Sequence, residues 1–149
     1  MTVIYLDACC LNRPFDDQSQ DRIRLESEAI LLILAHMARR EWRWVGSEVL
    51  DFEIQQTPDL ERRRRVQVLA TQVAARVLVE QPVVNRANEL QALGFGVYDA
   101  LHLACAERSG AEVFLTTDDA LVRRARRNAQ HVRIRVENPL TWLNEITGA

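Results

Sequence analysis

Four acidic residues stand where an apolar, strand-like run meets a turn or a helix. They are Asp7 after VIYL, Glu53 within SEVLDFEI, Asp99 in GVYDALHLACAE and Asp118 in VFLTTDD. Acids at the carboxyl ends of parallel strands, or in the first turns of the helices that follow, converge on one crevice of an open α/β sheet. Carboxylates crowded there repel one another and resist ionisation. A hard divalent cation relieves that repulsion, because Mg2+ and similar ions take oxygen ligands. Once bound, it lowers the pKa of water and offsets charge on an attacked phosphate. The pattern points to metal-dependent phosphodiester chemistry.

Each acid also has a plainer explanation. Asp7 suits a cap on the loop after it. Glu53 shares a helix side with Leu50 and Ile54, at the edge of the core, where an unaccompanied charge is costly. Glu48 and Asp51 fit better as solvated first-turn acids favoured by the helix dipole. Asp99 opens an apolar helix and, taken singly, reads as an acid stabilised by free backbone N–H groups. Thr116-Thr117-Asp118-Asp119 must supply a helix cap. Asp118 lies closer to the strand end, with Asp119 a secondary acid and Thr116 a partner for a carboxylate or a metal-bound water. His102, one turn after Asp99, is read as packed or surface histidine, since hard cations prefer oxygen.

The elements that must position these residues follow from periodicity. Val3–Leu6 reads as a buried parallel strand, and LNRPFDDQSQ as a polar loop. Apolar positions Ile23, Ile30, Ile33, Leu34 and Met37 recur at helical spacing, giving one long helix from Asp21 to Arg40. Trp42–Gly46 is a second strand, with Ser47 capping the helix that holds Glu53. Asp59 caps a helix running from Leu60 to about Val77. VLVEQPVV is either a short strand or an extended connection. Helices over 84–93 and 97–109 end at Gly94 and Gly110. Glu112–Thr116 is a strand, Asp118–Arg127 a helix, and Val132–Val136 the last strand. Pro139 opens a terminal helix. Strands alternating with helices predict a parallel sheet covered on both faces.

At 149 residues the expectation is a single domain over 1–149. The longest apolar stretch, Ala29–Ala35, is far short of the ~20 residues of a membrane span. A strand-like start with no basic n-region leads us to expect a cytoplasmic protein. Cys9, Cys10 and Cys105 show neither a disulfide framework nor zinc-ligand spacing and read as reduced, packed thiols. The net charge is −2, yet all nineteen basic residues are arginine and many are bunched. Local patches therefore matter more than the total. Arg13, Arg123 and Arg126 follow the acidic motifs in the chain and are candidates to hold an RNA backbone.

Taken in order, the strand ending in Asp7, Ser47-x5-Glu53, the helix-opening Asp99-Ala100-Leu101-x-x-Ala104 and Leu115-Thr116-x-Asp118 resemble a PIN domain. The resemblance spans residues 3 to about 127, and the chain's size resembles VapC-like toxins of toxin–antitoxin pairs. It implies a three-layer α/β/α fold with a short, mostly parallel central sheet, and a Mg2+- or Mn2+-dependent ribonuclease. Asp7, Asp99 and Asp118 would hold metal, with Glu53 a further ligand or the group that orients the attacking water. It also implies RNA as substrate, a cognate antitoxin and a homodimer. The long helix with Trp42 and Trp44 offers a surface for such partners. Many PIN domains carry Asn, Ser or Thr where this chain has Cys9, which leaves a supporting hydrogen bond weaker or supplied by Asn12. That departure keeps a second reading open, a catalytically inactive PIN-like module that binds RNA or protein. A phosphatase using a D-x-D strand end is disfavoured, because Asp7 is followed by Ala8 and Cys9.

Overall fold

The computed structural model describes residues 1–148. Its centre is one five-stranded sheet of order β3-β2-β1-β4-β5. The strands are β1 (Val3–Leu6), β2 (Arg43–Ser47), β3 (Ala75–Val77), β4 (Val113–Leu115) and β5 (Arg135–Glu137). Every pairing is parallel, including Tyr5 beside Val45, Leu6 beside Leu115, and Leu115 beside Glu137. The chain moves outward from β1 to β3 and then returns to the other side of β1 as β4. The order therefore reverses between β1 and β4, the point at whose carboxyl ends open α/β sheets form a crevice.

The side-chain period of two sends alternate residues of each strand to opposite faces. Ile4, Leu6, Trp44, Val113 and Leu115 pack with α1 (Ala8–Asn12), α2 (Asp21–Ala38), α4 (Leu60–Ala70) and α8 (Pro139–Thr147). Tyr5, Val45 and Phe114 face α5 (Gln81–Ala92), α6 (Val97–Ser109) and α7 (Asp119–Arg127). Helix α3 (Glu48–Gln55) straddles the two layers, with Val49 in one cluster and Leu50 and Ile54 in the other. The result is a three-layer α/β/α sandwich.

Three segments differ from the expectation, the last strand among them, since it runs over Arg135–Glu137 rather than Val132–Val136. The first half of the stretch read as a polar loop, residues 11–15, is instead the end of α1 and a 3-10 turn, Arg13–Phe15, because Asp7 caps α1 and Cys10 and Leu11 are buried. The helix expected to reach Val77 stops at Ala70. Ala75–Val77 instead pairs with Val45–Ser47 as an edge strand, and VLVEQPVV leads from it into α5. Trp44 is core, at 1% exposure, which removes it from any partner surface. Among the described residues no helix is long and apolar enough to cross a membrane.

Candidate metal centre

Asp7 ends β1 directly beside the end of β4. Its backbone N–H donates to Leu115 O at 3.0 Å, and Thr116 Oγ1 donates to Asp7 Oδ2 at 2.9 Å. Ala8 N–H donates to Oδ1 at 2.8 Å, so Asp7 is both the cap of α1 and a wall of the crevice. The Cys9 thiol lies 3.4 Å from Asp7 Oδ2 and 3.3 Å from Thr116 Oγ1. Thr116, with Cys9 behind it, supports Asp7. Asn12 turns away and donates to Ala8 O.

Ser47 caps α3 by accepting from Leu50 N–H at 3.0 Å, which sets the helix phase that carries Glu53 to the crevice. Glu53 Oε2 lies 3.0 Å from His102 Nε2, and that nitrogen lies 3.9 Å from Asp7 Oδ1. One ligand atom from each of Asp7, Glu53 and His102 falls within 4.8 Å of the others. His102 is fully buried. The sequence left it as a packed or surface histidine; it is packed, and against the acids, which that reading missed. The spacing of one helical turn from Asp99 was the available signal.

Asp99 sits in the first turn of α6, after Gly96, which has no side chain to offer as a cap. Its pKa is pushed from 3.8 to about 6, first by burial and then by the charges of Asp7 and Asp118, with Glu53 adding and His102 opposing. Asp7 is also shifted upward, by burial and by Glu53, against the pull of His102, Thr116 and Cys9. Burial opposes the charged form of His102, but the hydrogen bond to Glu53 and the charges of Asp7, Glu53 and Asp99 raise its pKa overall. Such mutual perturbation is the expected mark of like charges held together.

Asp118 caps α7, its Oδ1 accepting from Ala120 N–H and Leu121 N–H at 3.0 and 3.2 Å. Its own N–H donates to Thr116 Oγ1 at 3.1 Å, which ties it to the Asp7 side of the crevice. Asp119 points elsewhere, into an exposed ion pair with Arg22 at 2.6 Å. Of the three arginines, Arg13 pairs with Asp16 and Glu26, and Arg126 pairs with Glu137. Arg123 is exposed and has no ion-pair partner among the described residues. Arg62 bridges Asp16 and Phe15 O and serves the 3-10 turn.

The donor set fits a divalent cation. The ligand atoms that lie together are those of Asp7, Glu53 and His102, and the charges of Asp7, Asp118 and Glu53 act on Asp99 beside them. The profile of the PIN domain family matches residues 4–127. This chain belongs to the PIN domain family. Solved structures with the same fold include VapBC2 from Rickettsia felis bound to a DNA fragment from its promoter. It is 11% identical at a TM-score of 0.61, over 92% of this chain and 98% of that one. PAE2754 from Pyrobaculum aerophilum is 14% identical at a TM-score of 0.57, covering 99% and 98%. VapBC-1 from nontypeable Haemophilus influenzae is 14% identical at a TM-score of 0.58, covering 93% and 98%. No curated protein sequence matches the chain. The PIN domain match takes in Asp7, Glu53, Asp99 and Asp118 together.

Proposed function

We propose that this PIN domain, acting as one domain over residues 1–149, is a metal-dependent endoribonuclease and the toxin of a toxin–antitoxin pair. The observation that carries the reading is the acidic crevice at the β1/β4 reversal, where burial and like charge push Asp99 to about 6. Asp7, Asp99 and Asp118 would hold Mg2+ or Mn2+, and Glu53 would be a ligand or orient the attacking water. A bound cation supplies a water of lowered pKa and stabilises charge on the phosphate. Thr116 keeps Asp7 in place through its 2.9 Å hydrogen bond.

Of the three candidate arginines, Arg123 is the one without an ion-pair partner among the described residues and so available for an RNA phosphate, since Arg13 and Arg126 already serve Glu26 and Glu137. Unpaired RNA suits such a crevice, because splayed nucleotides can reach it. The exposed Leu25, Leu31 and Leu32 of α2 offer an apolar face for an antitoxin helix. Exposed Phe52, Val97 and Tyr98 beside the site offer one for a second copy. The setting is cytoplasmic in this reading. Purified protein is expected to cleave RNA with Mg2+ or Mn2+, and to lose activity with EDTA or as Asp7→Asn. Cleavage that survives both would overturn the proposal.

A further inference from the structure

A chain of buried hydrogen bonds runs from the end of β2 to the crevice. Leu50 N–H donates to Ser47 Oγ at 3.0 Å, Ser47 Oγ lies 2.6 Å from the Tyr5 hydroxyl, and that hydroxyl lies 2.6 Å from His102 Nδ1. His102 Nε2 then reaches Glu53 Oε2 at 3.0 Å. Tyr5, Ser47 and His102 are each at 0% exposure, while the Glu53 side chain is 28% exposed. These residues come from β1, the end of β2, α6 and α3, so four elements meet at the chain.

The hydroxyls of Ser47 and Tyr5 can each donate or accept, so the chain can run in a single direction. Ser47 accepts from Leu50 and has its own hydrogen for Tyr5. With the ring neutral, the single phenolic hydrogen can go to Nδ1, which places the ring hydrogen on Nε2, facing Glu53. The imidazolium form also carries a hydrogen on Nε2, so the bond to Glu53 persists in either state of the ring. Phe114 stacks on Tyr5 with ring centroids 5.3 Å apart, which fixes the phenol in plane. A long, partly exposed glutamate gains from such a support, because its rotamers are otherwise free. Partners of this kind set the orientation of metal-binding and catalytic carboxylates.

We infer that His102 is a positioning residue for Glu53, itself held by Tyr5 and Ser47, so that one carboxylate oxygen is fixed by the fold and Oε1 is presented to the crevice. The inference rests on the ribonuclease reading of that crevice, and its test separates the two. The full chain is assayed with Mn2+ on a single-stranded RNA oligonucleotide for kcat and KM, and by calorimetry for Mn2+ affinity without RNA. His102→Leu is expected to lower kcat about 10- to 100-fold, with KM within about two-fold. His102→Gln retains a nitrogen donor toward Glu53 and is expected to recover most of that loss. Tyr5→Phe is expected to lower kcat by a smaller factor, and combined with His102→Leu to add nothing. A merely structural histidine would give no rescue by Gln and additive losses, and either result overturns the inference. So does a folded His102→Leu protein with wild-type kcat. Should His102→Leu fail to fold, Tyr5→Phe with unchanged kcat overturns it equally. Should wild type cleave no RNA, the ribonuclease reading fails, and the inference stands or falls on whether His102→Gln binds Mn2+ more tightly than Tyr5→Phe/His102→Leu.

Discussion

Glu26 and Glu137 are buried as deeply as Asp7, at 1%, 5% and 7% exposure, yet the fold treats them in the opposite way. Glu26 Oε2 accepts from Asn138 Nδ2 at 2.6 Å and from Arg22 Nε at 3.3 Å. Arg13 Nε lies 3.0 Å from its other oxygen, off the hydrogen-bonding axis. Glu137 ends β5 just as Asp7 ends β1, but it accepts from Asn138 N–H, Arg126 and Arg135. Burial works against its charge, and these donors still hold its pKa below the ordinary value. Asp7 and Asp99 lack such arginines and move upward. An acid at a strand end is therefore no indication of a site by itself. What distinguishes the crevice is that, among the described residues, no arginine pairs with its acids, and His102 alone pulls against their mutual repulsion.

The comparison can be broken at four points. The largest expected effect is on activity: Asp99→Asn should lower RNA cleavage at least ~100-fold at each 1.36 kcal/mol per factor of ten, while circular dichroism shows an intact fold. Glu26→Ala should leave the crevice chemistry in place but cost about 2–3 kcal/mol of stability by urea unfolding, because it strands the Asn138 amide and takes one of two acidic partners from both Arg13 and Arg22. A loss under half a unit would put Glu26 and Asp99 in the same class and dissolve the contrast.

The third point concerns pH. Asp99 has a folded pKa of about 6 against an ordinary 3.8, so the folded state binds its proton more tightly than the unfolded chain does. That contribution to stability is complete below the unfolded value and is lost as pH rises through about 6. Metal-free Asp99→Asn should therefore melt ~2–6 °C above wild type near pH 7.5, with the gap closing near pH 4. Differential scanning calorimetry in EDTA reads both. The smallest effect is Asp119→Asn. Its pair with Arg22 is about half exposed on both sides, so stability should change by less than about 1 kcal/mol and cleavage by less than about two-fold.

Much of this was legible in the residues themselves. Val3–Leu6 is an uninterrupted apolar run, and its alternation sends Tyr5 and Leu6 to opposite layers as expected for a strand buried on both faces. Ser47 and Asp59 announced their caps, and both accept from backbone N–H groups at the starts of α3 and α4. Gly110 ends α6 at φ 79°, a backbone angle that other residues adopt at a cost. The missed pieces have physical reasons. Ala75–Val77 is a three-residue edge strand and carries no buried apolar run to mark it. The five residues of α1 have no helical periodicity and are held by burial of Cys10 and Leu11.

The acids were visible, but their support was not. His102 meets Tyr5 across 97 residues and Glu53 across 49, and DALHLACA shows only its one-turn spacing from Asp99, not these two partners. Residue type alone made histidine a poor ligand for a hard cation; only the fold reveals it as a donor to an acid. The same holds for the arginines, since chain proximity to the acidic motifs suggested Arg13 and Arg126, and the fold spends both on Glu26 and Glu137.

The most direct test of this arginine-free crevice is anomalous diffraction from crystals soaked in Mn2+. The account predicts a peak among the carboxylates of Asp7, Asp99 and Asp118, within reach of Glu53, and none beside Glu26 or Glu137. A crevice that stays without a peak at saturating Mn2+, or one in which Arg123 folds in to pair with Asp99, would contradict it.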